Sequence, residues 1–175
     1  MREDLIIRPE GPADAEPTGL LHDAAFGIPQ ERERSLEREL TAALREDGDV
    51  LPGLTFVAEL DGHVVGHVVC SRGSVGTHPA VGLGPIAVTP QLQRQGIGAA
   101  LLMAVVASAD RDAESLIALL GDPEYYGFFG FVPASAHGIG SPGPWEEAFQ
   151  VLPLRAWRAE MAGPFRYAAA FERLA

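Results

Sequence analysis

Residues 81–109, VGLGPIAVTPQLQRQGIGAALLMAVVASA, restrict the possible folds more than any other stretch of this chain. Residues 81–88 are small or branched apolar side chains and read as a sheet strand. From residue 97 onward the chain is apolar almost all round, as a buried helix is. A buried strand running through a polar loop into a buried helix requires a sheet with a helix packed on it, hence an α/β domain. Two details set this unit apart. Pro85 lies within the strand, where it can donate no ladder hydrogen bond, so the strand is an edge or a place where two strands part. Gly96 and Gly98 open the helix, and glycines there let a ligand press against the main chain.

The loop restricts what that ligand is. A dinucleotide site wants Gly-x-Gly-x-x-Gly directly after its strand. Here the third position is Leu101, and seven non-glycine residues follow Val88 before the first glycine. A P-loop ends in Gly-Lys-Ser/Thr, and this segment has no lysine. What remains is a set of backbone N–H groups from Arg94 to Ala99 at a helix N-terminus, a ready site for a diphosphate, or else a turn serving packing alone. Arg94 is the only charged side chain between residues 73 and 109. A parted strand adds unpaired N–H and C=O groups from Ile86 to Val88, which an extended ligand carrying amides can pair with.

The rest of the chain reads as one domain. Its 175 residues suffice for a single core. Residues 4–9 predict a first strand and residues 11–27 a helix stopped by Gly27. Residues 30–47 predict a second helix with a Leu36, Leu40, Leu44 stripe. Two β-branched runs joined by Leu60-Asp61-Gly62 predict a hairpin. Residues 114–121 predict a buried strand, and Asp122-Pro123 an N-cap and first helical position. Residues 133–144, PASAHGIGSPGP, predict a loop, residues 146–154 a last strand, and the tail a short helix around Trp157.

Thirteen basic against 24 acidic side chains give a net charge of −11, which excludes a general nucleic-acid binder. The start MREDLIIRPE has acids where a signal peptide carries a basic stretch and an apolar run, so none is expected, and no apolar run reaches the ~20 residues of a membrane span. A cytoplasmic protein is expected. Cys70, the only cysteine, sits in an apolar run and is expected to be buried and inert. His22, His63, His78 and His137 lack metal-ligand spacing, and no metal is expected.

GPIAVTPQLQRQGIGAALL resembles motif A of the GCN5-related N-acetyltransferases (GNAT), with Gln93, Gly96 and Gly98 at its defining positions. GDPEYYGFFGFVPA resembles that family's motif B, in the branch of N-acetyltransferases with GDPxYYxxFGF. The resemblance implies a single domain over residues 1–175 with its coenzyme core at about 81–134. The implied sheet is mixed, mostly antiparallel and of about seven strands, with a bulged, splayed central strand and helices on both faces. The apolar helix, residues 98–107, lies against it.

It further implies acetyl-CoA as co-substrate, its pantetheine arm on Ile86, Ala87 and Val88. Its diphosphate is then cradled by Arg94, Gln95, Gly96, Ile97, Gly98 and Ala99. An amine of a small molecule or protein attacks the thioester directly, and Tyr126, four residues before Gly130-Phe131, protonates the leaving thiolate. Tyr125 packs. An asparagine common in the family seven residues before this tyrosine is Leu119 here, so no contact is carried over to it. The general base stays open between Glu59, His67 and a water relay. Residues 133–144 and the first two helices are expected to hold the acceptor. A homodimer is compatible with these features, as is a non-catalytic acyl-CoA-binding sensor or scaffold of the same fold.

Overall fold

The turn at Asp61-Gly62 organises the sheet. Both residues take positive φ, 51° and 77°, the turn whose twist matches the strands it joins. It connects β2 (Phe56–Leu60) to β3 (His63–Val75), and the chain returns antiparallel beside β3 as β4 (His78–Val88). β1 (Ile6–Pro9) flanks β2, also antiparallel. The computed structural model describes residues 4–174.

Beyond β4 come α3 (Ile97–Arg111), β5 (Leu116–Leu120), α4 (Pro123–Gly127) and β6 (Val132–Pro133). β7 (Ile139–Gly140), β8 (Phe149–Pro153), β9 (Gly163–Arg166) and α5 (Ala169–Leu174) complete the chain. The sheet order is β1-β2-β3-β4-β5-β8-β6, seven strands along one path. β9 pairs with the far end of β3 and with β7. Only β4–β5 and β7–β9 are parallel, so the sheet is mixed and mostly antiparallel, as expected, with nine strands instead of about seven.

Alternation along β3 assigns the helices to faces. A Cβ at Gly66 would stand 3.0 Å from Ile97 Cγ2 and Leu101 Cδ1, so α3 rests directly on the sheet there. The next residue, His67, points the other way and meets His22 of α1 (Ala15–Phe26). α2 (Leu36–Asp47) packs on α1 and α5. Under α3, Leu101, Leu102 and Val105 are wholly buried with Val68, Val81, Ile117 and Leu119. Each such side chain stabilises the fold by roughly 1.5–3 kcal/mol.

Several boundaries differ from the sequence expectation. α2 starts at Leu36, because the Ser35 side chain accepts the Arg38 N–H and caps the helix there, leaving residues 30–34 outside. α3 runs on to Arg111, beyond the apolar stretch 98–107 that packs on the sheet. The loop at 133–144 begins on the last residue of β6 and contains the two-residue strand β7. The tail forms β9 and α5, with only a short 3-10 turn (Ala159–Met161) near Trp157. Among the described residues no helix is long and apolar enough to cross a membrane.

Candidate functional site

Pro85 lies in a central strand, and the chain accommodates it on both sides. Toward β3, Val68 opposes Ile86 and Cys70 opposes Leu83, so Gly84 and Pro85 together face Val69 as a bulge. Toward β5, the parallel pairing consists of Val81 with Ile117 and Gly82 with Ala118, after which the strands part. The Thr89 N–H donates to Val65 O at 2.9 Å, which makes Thr89–Val65 a hydrogen-bonded pair. Antiparallel alternation then commits Ala87 to His67 and turns the main-chain groups of Ile86 and Val88 toward the gap. Ile86 and Val88 are thus the residues of that segment able to pair with a ligand, and Ala87 is not.

The loop that follows is shaped by two positive φ angles, 61° at Arg94 and 85° at Gly96. Gly96 is the N-cap of α3, and its conformation is one that L side chains avoid. A turn of this kind aims successive N–H groups inward, and the first turn of α3 contributes N–H groups without intrahelical partners. Gln93 Nε2 donates to Val88 O at 3.1 Å, tying the loop to the strand end. The motif glutamine therefore has a structural task that its spacing did not reveal. Arg94 is exposed and Gly96 opens onto free space.

α4 brings two tyrosines to this region. Asp122 caps it, accepting the Glu124 N–H at 2.9 Å, with Pro123 at the first helical position. The Tyr126 ring lies so close to Gly121 that a Cβ there would overlap it, and it meets Phe131 edge-on at 5.8 Å. It packs against the same apolar layer as Ile86 and Val88. Burial, with a smaller contribution from Tyr125, pushes its hydroxyl up to about 12. Tyr125 contacts Tyr126 and Phe129 as expected of a packing residue. Its hydroxyl, however, reaches the helix N-terminus: a Cβ on Gly98 would stand 3.5 Å from it. Sequence reasoning missed that contact; the absent side chain at Gly98 was the available signal.

Both residues considered as bases are engaged elsewhere. Glu59 Oε2 accepts from Arg8 Nε at 2.9 Å, and Arg8 also holds Asp14. His67 is wholly buried beneath α1. Its Nδ1 is 2.9 Å from His22 Nε2, and its Nε2 lies 3.2 Å from Glu10 Oε1, close but off the line of a good hydrogen bond. Glu10 is paired in turn with Arg45. Burial holds both imidazoles below the usual histidine range, His22 to about 3, so both are neutral. Cys70 is buried, and burial raises its thiol, consistent with an inert residue. Among the described residues no three His, Cys, Asp or Glu groups are placed to hold a metal ion.

On the face opposite α3 lies a cavity of about 790 Å³. Leu36, Glu37 and Leu40 of α2, Ser141, Pro142 and Trp145 of the loop before β8, Leu120, and the segment from Phe165 to Leu174 line it. The second helix and the 133–144 loop therefore both reach it, together with a C-terminal segment that the sequence did not single out.

A central strand bulged at Pro85, its neighbour parted after Gly82, and a glycine-opened helix beside the gap define the GNAT fold. The Acetyltransferase (GNAT) family model matches residues 20–126, more than half of the chain. The chain belongs to this family and is an N-acetyltransferase. It is 33% identical over 150 residues to the uncharacterized N-acetyltransferase YhbS of Escherichia coli K12, covering 84% of this chain and 86% of that protein. The crystal structure of YhbS in complex with CoA superposes with a TM-score of 0.87 at 31% identity, over 100% of this chain and 96% of the other. A GNAT acetyltransferase from Brucella melitensis, in complex with acetyl-CoA, superposes at 0.78 and 31% identity, over 97% and 99%.

Proposed function

We propose that the chain transfers the acetyl group of acetyl-CoA to a primary amine by direct attack. The observation that carries this reading is the gap beside Ile86 and Val88. Their main-chain groups face it, and the Arg94–Ala99 loop closes one end, an arrangement that suits a ligand with amides followed by a diphosphate. The solved relatives in complex with CoA and acetyl-CoA support it.

In this reading Ile86 and Val88 align the pantetheine arm as an added strand. The amides of Ile97, Gly98 and Ala99 and the Arg94 guanidinium hold the diphosphate, with Tyr125 beside Gly98. A main-chain N–H from the bulged segment stabilises charge developing on the thioester oxygen, a role typically worth roughly 10²–10³ in rate. Tyr126, kept protonated by burial, donates to the departing thiolate, whose conjugate acid has a reference pKa near ~8.5. With Glu59 and His67 engaged, the amine proton leaves through water in the gap.

Calorimetric titration with acetyl-CoA, NAD and ATP tests the donor assignment. Binding of acetyl-CoA alone is expected. A folded protein that ignores it would overturn the assignment.

A further inference from the structure

We infer that the cavity under α2 and α5 is the acceptor site and that it takes a small primary amine carried on an aromatic or branched apolar body. The inference rests on the donor assignment above. Leu36, Leu40, Leu120, Trp145, Tyr167 and Phe171 supply most of the wall. Its volume of about 790 Å³ lies within the range of roughly 300–1,000 Å³ typical of small-molecule sites.

Its position connects it to the gap. Leu120 is the last residue of β5, beyond the point where β5 leaves β4. The Tyr167 ring turns its Cδ1–Cε1 edge to Gly82, the last β4 residue still paired with β5: a Cβ there would stand 2.9 Å from Tyr167 Cδ1 and 3.0 Å from Cε1. The cavity thus meets β5 directly at Leu120, and Tyr167, which lines it, carries its wall to Gly82 of β4, where the two strands separate, on the face away from α3. An amine held there reaches the gap from the side opposite the helix.

The wall is built to be rigid. Tyr167 stacks on Phe171 with centroids 4.4 Å apart and meets Phe165 edge-on at 4.8 Å. The Trp145 ring sits against Gly143, and Ser141 Oγ donates to Gly143 O at 2.8 Å, fixing the loop that carries it. Rigid aromatic surface of this kind favours a flat or branched apolar partner.

Charge gives the other half of the specificity. Glu37 and Glu172 line the cavity and, among the described residues, neither is paired with a cation; Arg166 is the single basic group. Two carboxylates against one guanidinium, in a chain of net charge −11, favour a monocationic amine. A polyamine would have to bury several charges against this wall, and a lysine-bearing peptide would leave the aromatic surface without a partner.

The test compares 2-phenylethylamine, spermidine and a lysine-bearing peptide as acceptors with acetyl-CoA, following thiol release. Calorimetry measures acetyl-CoA and 2-phenylethylamine binding separately. Phenylethylamine is expected to show the highest kcat/KM, by at least about ten-fold. Trp145→Ala should raise its KM and weaken its calorimetric binding by about ten-fold, with the acetyl-CoA Kd unchanged. Glu37→Gln, a fold-neutral change on the α2 surface, should raise KM by up to about five-fold. Preference for spermidine or the peptide, no phenylethylamine binding or turnover in a protein that binds acetyl-CoA, or indifference to both variants would overturn the inference. Loss of acetyl-CoA binding in the folded wild-type protein would instead overturn the donor assignment, leaving phenylethylamine binding and its loss in Trp145→Ala to decide the cavity on its own.

Discussion

In the proposed mechanism Tyr126 serves the chemistry and Gly96 the binding, so the two can be tested apart. Tyr126→Phe keeps the ring that packs on Gly121 and Phe131 and removes only the hydroxyl. Turnover should fall by about 10²–10³ while the acetyl-CoA Kd stays constant. Single-turnover thiol release measures the first and calorimetry the second. Because burial pushes the hydroxyl up to about 12, no loss of rate from its ionisation is expected as pH rises from about 8 to about 10. Gly96 is limited by its φ of 85°, not by space, since nothing lies within 4 Å of a Cβ there. Gly96→Val should therefore cost about 1–2 kcal/mol of stability through backbone strain. It should also cost most of the affinity for acetyl-CoA, because it disturbs the turn that aims the loop amides. Unchanged affinity in a folded variant would remove the loop from the site. The glycines and Tyr126 were legible in the sequence because motif spacing fixes them. The reach of Tyr125 to Gly98 was not, since it depends on where α4 docks.

At the scale of elements, α1 is held to the sheet by a buried imidazole pair, and this carries a pH dependence. His22 and His67 are held below their ordinary pKa by burial, whereas the unfolded chain protonates near ~6.5. Below that pH the unfolded state binds protons that the folded state refuses, so stability falls with falling pH. The slope should reach up to about 1.4 kcal/mol per pH unit for each histidine, persisting for His22 toward about 3. Glu10, Asp14 and Asp23 are held below their usual range by their partners, so their contribution is lost in the same direction at lower pH. Urea midpoints at about pH 7.5, 6 and 5 read the histidines before those carboxylates titrate. His22→Gln should flatten the slope between about 6.5 and 5; an unchanged slope would show that the pair does not control it.

The hairpin turn and the α4 cap were readable here because Asp61-Gly62 and Asp122-Pro123 act locally. Pro85 announced an irregular strand, but whether as an edge or a bulge depends on Val69 and Ile117, neighbours remote in sequence. His22 read as one of several scattered histidines and His67 as a candidate base, and their pairing was hidden because 45 positions separate them along the chain.

Over the whole molecule, a net charge of −11 would oppose the approach of the proposed anionic coenzyme, while Arg94 and a helix N-terminus would attract it locally. Long-range repulsion is screened by salt more than the short-range contacts are. The acetyl-CoA association rate should therefore rise between about 0.01 and 0.15 M ionic strength, with a weaker effect on dissociation. Stopped-flow measurement of both rates checks this; a rate that falls with salt would mean that the local cation dominates the approach. The mixed sheet with helices on both faces followed from the family resemblance, but the C-terminal β9 and α5 did not, because Gly163–Arg166 becomes a strand only by pairing with β3.

That late strand links two parts of the molecule that the chain keeps far apart. The surface around the gap comes from one continuous run, residues 86–131, while the opposite wall is assembled from residues 36–40, 141–145 and the last ten described positions, with Leu120 belonging to both. Apart from Leu120 the two can therefore vary separately. Under the proposed assignment, a substitution in the tail that keeps Phe165, Ala168 and Ala170 buried would re-cut the choice of acceptor while leaving the thioester's own seat as it was.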